Sequence, residues 1–351
     1  MKLRLLFILL AVSLQAYSQN DSLKKLTVVA YGEFYYSYDF SNPQNHEKAN
    51  FLYNHKRHNE INANLLLVKA QYLDQNHRAN LGWMTGNFAQ YNLAEEPIWA
   101  QFIYEANMGI KIAKNQNIWL DAGIMPSHIG FESAVCEDCW TLTRSILAEN
   151  SPYYETGLKL GYTSKNEKLN IAALYLNGWQ KINKPDDIQK PSFGTQLSYK
   201  ASEKMMFNYS TFLGSDQPDS LHSFRQFHNF YLLYEPTNTF GIISGFDIGR
   251  DKFNPGNYGI WYSPVVIIRQ KISERTSMAL RGEYYNDPKQ IIISTGTENG
   301  FQTWGISSNI NCRINSKIKW SIEGKIYRSK DTIFENKDYN YSITTHMTIK
   351  L

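Results

Sequence analysis

The segment Tyr339-Asn340-Tyr341-Ser342-Ile343-Thr344-Thr345-His346-Met347-Thr348-Ile349-Lys350-Leu351 decides the fold. Its odd positions carry Tyr339, Tyr341, Ile343, Thr345, Met347, Ile349 and Leu351, and its even positions carry Asn340, Ser342, Thr344, His346, Thr348 and Lys350. Successive side chains of a strand point to opposite faces, so a period of two gives this segment one apolar and one hydrophilic face. Strands of soluble sheets usually run about five or six residues. An alternation sustained from Tyr339 to Leu351, aromatic at its start, has the length and pattern of a tilted strand that crosses a bilayer. The stretch Ala30 to Phe40 repeats it: Ala30, Gly32, Phe34, Tyr36, Tyr38 and Phe40 alternate with Tyr31, Glu33, Tyr35, Ser37 and Asp39.

Between these two segments the connections alternate in length. Short turns fall at Asp74 to His77, Lys114 to Asn117, Ser164 to Lys168, Ser202 to Lys204, Glu235 to Asn238, Ser273 to Arg275 and Asn315 to Ser316. Longer polar stretches interleave at Ser41 to His58, Phe88 to Ile98, Ser127 to Pro152, Gln180 to Pro191, Gly214 to Ser223, Arg250 to Asn257, Asp287 to Asn299 and Ser329 to Asp338. Seven short turns and eight long loops separate sixteen strands, an even number with both ends on the short-turn side. The pattern predicts an all-β fold, an antiparallel transmembrane β-barrel of about sixteen strands with short periplasmic turns and long extracellular loops. A soluble sandwich has shorter strands and no systematic asymmetry between its two ends. Tyr153, Tyr154, Tyr162, Trp179, Tyr258, Trp261, Tyr262, Tyr284, Tyr285, Tyr339 and Tyr341 are candidates for the interfacial aromatic girdles.

Composition narrows the class further. The 351 residues are 42% hydrophobic, 14% aromatic and 19% charged, with 36 Lys+Arg against 32 Asp+Glu and 3 Cys. Disorder, a helical membrane protein and a disulfide scaffold are all excluded on these grounds. A net charge of +4, with no basic run, gives no reason to expect a nucleic-acid partner. Residues 1–18 read as a secretory signal: Lys2 and Arg4 precede the apolar Leu5 to Leu14, and Ala16-Tyr17-Ser18 is a small-x-small cleavage site. The apolar run is too short to span a bilayer, so residues 19–351 are expected to form the barrel after export.

At Leu120 to Gly157 the chain resembles the OmpL-like family of β-barrel porins. The run Ala122-Gly123-Ile124-Met125-Pro126-Ser127-His128-Ile129-Gly130-Phe131-Glu132 is similar to that family's strand-to-loop motif. Thr143-Arg144-Ser145, Pro152-Tyr153-Tyr154-Glu155-Thr156-Gly157 and Tyr175-Leu176-Asn177-Gly178-Trp179 follow in order and approximate spacing. The resemblance implies an outer-membrane diffusion channel without catalytic residues. Two features depart from it: the chain ends in Leu351 where such barrels commonly carry an aromatic, and Cys136-Glu137-Asp138-Cys139 sits inside the loop after Glu132.

A charge facing lipid at mid-depth costs about 2 to 4 kcal/mol, whereas one in a wet lumen costs little. Alternation on that rule points Glu33, Glu105, Asp121, Glu155, Lys159, Asp247, Arg269, Arg281, Glu283, Lys319, Glu323 and Lys325 inward as pore-lining residues. Both signs are present, which predicts a weakly selective lumen. Ser127 to Pro152 is the longest loop and carries Glu132, Glu137, Asp138, Arg144 and Glu149. It is the candidate constriction, with Arg144 facing acidic residues across an eyelet; an exposed loop with solvated charges is the alternative. Cys136 and Cys139 can form a small-ring disulfide in an exported chain, stay free, or bind metal; only His128 lies near them in sequence. His55 and His58 flank Lys56-Arg57 in what reads as a solvated basic loop, and His346 is isolated on its strand.

Nucleotide-binding, zinc-protease and serine-hydrolase motifs are absent, so no cofactor, metal or catalytic residue is assigned. The expected function is passive diffusion of small hydrophilic solutes and ions across the outer membrane, with lipid around the barrel. An outward apolar row fits lipid or a neighbouring subunit alike, so a homo-trimer stays open. The alternatives are a barrel enzyme acting on lipids, which needs a clustered nucleophile and base near one rim, and a non-conducting barrel whose loops bind a partner.

Overall fold

The computed structural model describes residues 25–254 and 257–351; the expected signal segment lies outside the described residues. Sixteen strands follow one another around a closed ring. They are β1 (Leu26–Asp39), β2 (Ile61–Leu73), β3 (His77–Thr85), β4 (Ile103–Lys111), β5 (Asn117–Pro126), β6 (Tyr154–Thr163), β7 (Leu169–Leu176) and β8 (Ser192–Ser202). The second half comprises β9 (Met205–Gly214), β10 (Phe224–Tyr234), β11 (Phe240–Asn254), β12 (Asn257–Lys271), β13 (Thr276–Asp287), β14 (Phe301–Arg313), β15 (Ile318–Ser329) and β16 (Tyr339–Lys350). Each strand is antiparallel to its sequence neighbours, and β1 closes on β16 with Tyr31 opposite Lys350 and Asp39 opposite Ser342. Closure leaves no strand edge, the condition for sheet in hydrocarbon, where an unpaired amide costs several kcal/mol. No described helix is long and apolar enough to cross a membrane.

The alternation read from the last segment is realised side chain by side chain. On β16, Tyr341 and Met347 are 44% and 50% exposed, whereas Thr344 and His346 are each 2% exposed. The outer band is apolar, with Phe34, Leu158, Phe193, Phe230, Leu280, Ile306 and Ile343 among its exposed residues. The polar residues are the buried ones, the reverse of a water-soluble sheet.

Two sequence expectations change. The long loop expected at Arg250 to Asn257 is mostly strand, because β11 runs to Asn254 and β12 resumes at Asn257. Polar residues such as Arg250 and Asp251 read as loop by composition, yet pair in register with Ile260 and Gly259. The girdle candidates also divide. Tyr162, Tyr258, Tyr339 and Tyr341 are outward, but Tyr154, Trp261 and Tyr285 are buried inside. Trp261 stacks on Phe227 and Tyr285, and Trp179 packs edge-on against Phe212 and Phe227, forming an apolar cluster under the long-loop mouth.

The loops of interest are L1 (residues 40–60), L2 (residues 86–102, with helix α1, Asn87–Asn92) and L3 (residues 127–153, with helix α2, Ile146–Glu149). A backbone feature sits where β5 and β6 flank L3. Gly123 has φ +124° and faces Gly157 across the β5–β6 pair, and a Cβ at Gly123 would lie 2.3 Å from the Ala106 carbonyl oxygen. Only glycine takes that conformation and that approach without strain. Gly123→Ala is expected to destabilise the barrel by more than about 1 kcal/mol, read as a lowered urea midpoint of the detergent-folded protein.

Candidate functional site

L3 does not project outward; it is bonded to the inner wall on many sides. Ser210 Oγ donates to the His128 carbonyl (2.7 Å) near its start, and Ser151 Oγ donates to Asp247 (2.9 Å) near its end. Between them Asn311 Nδ2 donates to the Trp140 carbonyl (2.9 Å), Lys319 Nζ to the Cys136 carbonyl (3.0 Å) and Lys325 Nζ to the Arg144 carbonyl (3.0 Å). Its strongest anchor is Arg281 on β13. That guanidinium donates to the Thr143 carbonyl (2.7 Å) and to Glu323 (2.9 Å), lies 3.3 Å from Glu283, and stands 3.7 Å from Glu132. The same carboxylates grip the loop backbone: Glu323 accepts from Thr143 N (2.7 Å) and Glu283 from Ile146 N (2.6 Å). Burial raises the pKa of the Glu132 carboxyl in L3, and Arg281 beside it opposes that rise.

Every wall charge named from alternation is buried or half-buried on the inner face. Glu105 pairs with Lys69 (2.5 Å), Asp121 with Arg78, and Arg269 with Glu235 while its guanidinium lies 4.1 Å from the Trp140 ring. Lys159 is half-buried beside Asp121, its register partner. Glu155 holds His128 Nδ1 (2.7 Å), whose Nε2 donates to the Thr211 carbonyl (2.8 Å). Burial opposes the charged ring there, but Glu155 outweighs it and holds the His128 pKa above its ordinary value. The remaining loop acids are also engaged. Glu149 accepts from the Tyr53 and Asn54 amides of L1 (2.9 and 3.1 Å), Glu137 pairs with Arg313 and Lys319 (3.0 and 3.3 Å), and Asp138 lies 3.7 Å from Lys350.

Three expectations are corrected. Arg144 does not face acidic residues across an eyelet; its fork turns into its own loop, donating to the carbonyls of Ser133 (2.5 Å), Ala134 (3.0 Å) and Leu142 (3.1 Å). Five rigid donors suit it to bracing a turn of backbone, and Arg281 takes the position opposite the acids. The Cys136–Cys139 disulfide is not formed, and both are free thiols. The 3-10 turn Cys136–Asp138 sends Cys136 Sγ toward Glu33 and Arg144, while Cys139 Sγ meets Ser133. L1 is not a solvated basic loop either. His55, Lys56 and His58 are buried, with Lys56 Nζ on the Ala49 carbonyl (2.9 Å) and His58 Nδ1 accepting from Asp39 N (2.9 Å).

The residues missed from sequence gather around Glu33. His55 Nε2 (2.6 Å), His346 Nδ1 (2.8 Å) and Cys136 Sγ (2.9 Å) all donate to its Oε1, and Tyr31 and Asn64 donate to Oε2 (both 3.2 Å). Burial pushes the Cys136 thiol well up and His55 down to about 4, so both loop groups are neutral. These residues come from β1, L1, β2, L3 and β16, and no local spacing could have joined them.

Two cavities flank L3. One of about 420 Å³ on the long-loop side is lined by Tyr53, Glu149, Trp179, Lys181 and Arg225. One of about 160 Å³ on the short-turn side is lined by Glu137, Trp140, Arg269, Arg275 and Lys319.

A closed sixteen-strand barrel with an apolar belt, a charged interior and an infolded third long loop defines the class of outer-membrane porins. The chain belongs to the family described as "Putative beta-barrel porin-2, OmpL-like", which matches residues 25–351. It is accordingly an outer-membrane porin for passive diffusion. No curated protein matches it. Among solved structures, Salmonella typhi OmpF in complex with daunomycin is 8% identical, with TM-score 0.65 over 93% of this chain and 97% of that one. The outer membrane channel DcaP of Acinetobacter baumannii is 7% identical, with TM-score 0.63 over 93% and 97%. The anion-selective porin from Comamonas acidovorans is 8% identical, with TM-score 0.60 over 93% and 99%. At these identities the likeness concerns the fold.

Arg281→Met leaves Glu132, Glu283 and Glu323 buried without their shared cation. Its expected cost is about 3–5 kcal/mol, seen as a lowered urea midpoint together with faster proteolysis within L3. An unchanged midpoint would show that Arg281 does not hold the loop.

Proposed function

We propose that small hydrophilic solutes and ions diffuse through this lumen past L3, which acts as its constriction. The observation that carries the reading is the clamp of Arg281, Glu323 and Glu283 on Thr143 and Ile146, which holds L3 across the interior between the two cavities. A solute entering from the long-loop side meets Glu149, Lys181 and Arg225, then the loop, then Glu137, Arg269 and Lys319. Fixed charges of both signs replace part of its hydration shell, and the paired wall charges leave only a weak net field along the path. No energy coupling enters: the solute moves down its own gradient, and the chain works as a channel rather than an enzyme. The outer apolar face meets outer-membrane lipid and, in a trimer, a neighbouring copy. Export through a signal segment cleaved after Ser18 completes the reading.

Single-channel recording in a planar bilayer under a potassium chloride gradient tests it. Stable open steps are expected, with a reversal potential that reports less than about tenfold preference between potassium and chloride. Deleting Cys136 to Thr143 should raise the conductance of a barrel that still migrates as folded. If conductance does not change, L3 is not the constriction; a silent folded barrel would refute the channel itself.

A further inference from the structure

We propose that Glu33, His55, Cys136 and His346 form a binding site for one zinc ion inside the barrel. The four residues are all buried, and one donor atom from each lies within 4.8 Å of the others. Two imidazole nitrogens, a sulfur and a carboxylate oxygen make a borderline-soft, four-ligand set suited to tetrahedral zinc rather than to calcium or magnesium. Zinc with one carboxylate, one thiolate and two neutral imidazoles sums to zero charge, the condition under which an ion is tolerated away from water.

The geometry is close to what coordination needs. Ligands about 2.0 to 2.3 Å from a tetrahedral ion stand roughly 3.3 to 3.8 Å from one another. Glu33 Oε1 is now 2.6, 2.8 and 2.9 Å from the other three donor atoms, so the carboxylate must draw back by roughly an ångström to admit the ion. Proton balance is simple. Cys136 releases its S–H proton to solvent, while each histidine moves its N–H proton to the other ring nitrogen. Those outer nitrogens, His55 Nδ1 and His346 Nε2, are buried and have no hydrogen-bond partner; they take up the N–H when the two rings exchange their hydrogen bonds to Glu33 Oε1 for the ion.

Supporting contacts surround the site. Arg144 Nη1 lies 3.2 Å from Cys136 Sγ, where it steadies a thiolate, and Asn64 and Tyr31 hold the far oxygen of Glu33. Such groups orient ligands and tune their basicity, and their loss typically weakens metal binding about 10- to 100-fold. Bound zinc would tie L1 through His55 and L3 through Cys136 to the two strands that close the barrel. The site itself does not depend on the channel reading, because metal retention is measured without conductance.

The test uses the full barrel, purified folded in detergent, loaded with zinc or cobalt and then desalted. The expected result is about one zinc per chain by elemental analysis, and a thiolate-to-cobalt charge-transfer band in the near ultraviolet. Cys136→Ser should abolish the band, and His346→Gln should weaken zinc binding tenfold or more; His77→Gln and Cys312→Ser, outside the cluster, should change neither. Because Cys136→Ser and His346→Gln are close in shape to the native residues, each is judged on barrels that show heat-modifiable migration. No retained metal in the native protein, or retention unchanged in both cluster variants, would overturn the site.

Discussion

The rest of the structure depends on the pairing of β1 with β16. Within hydrocarbon every amide must find a partner in the protein, and the register from Tyr31–Lys350 to Asp39–Ser342 satisfies the last row that a string of hairpins would leave open. Once the ring is shut, the two faces of each strand lie in solvents of opposite character. Phe34, Leu280 and Ile343 are exposed on the outer face, while Glu33, Arg281 and Thr344 are buried on the inner one. Charge is thereby confined to the inside, where its desolvation has to be compensated by pairing.

Pairing is what gives the interior its form. Arg281 serves Glu132, Glu283 and Glu323 at once, and those carboxylates accept amide protons from L3. Backbone in the loop thus stands in for water around the wall acids, and the wall acids stand in for water around the loop. A solute sees what remains: a vestibule of mixed charge on each side, and a loop that is part of the wall. Phe227, Trp261, Tyr285 and Phe301 pack with Phe51 of L1 and Ile146 of L3, filling part of the interior with apolar bulk.

Strand count and closure were legible in the sequence because side-chain direction in a strand has period two and needs no tertiary information. Gly123 and Gly157 within the family-like motifs were visible as residues, but their reason, the close approach of the Ala106 and Tyr175 carbonyls of the neighbouring strands, was not. What the alternation could not supply was the path of the long loops. Arg144 read as facing acids across an eyelet because nothing local shows that the carbonyls of Ser133, Ala134 and Leu142 would encircle it. For Cys136 and Cys139 a bridge was one of three readings, suggested by proximity along the chain, yet Cys136 is drawn to Glu33, 103 positions away. Trp261 and Tyr285 have the composition of girdle residues, and only burial separates the two roles.

The order in which the molecule can come together follows from where L3 is held. Its anchors are Glu33 on β1, Arg281 and Glu283 on β13, and Lys319, Glu323 and Lys325 on β15. The seam that assembles them joins groups as far apart as Ser37 and Thr344, separated by 307 positions. Contacts of such separation must await the closure of very long stretches of chain. L3 therefore has no complete socket until the final strand has docked, because β16 brings His346 to Glu33, Thr348 to Glu137 and Lys350 to Asp138. In time, the cylinder precedes the seating of its own loop: the barrel has to close before L3 is held on every side.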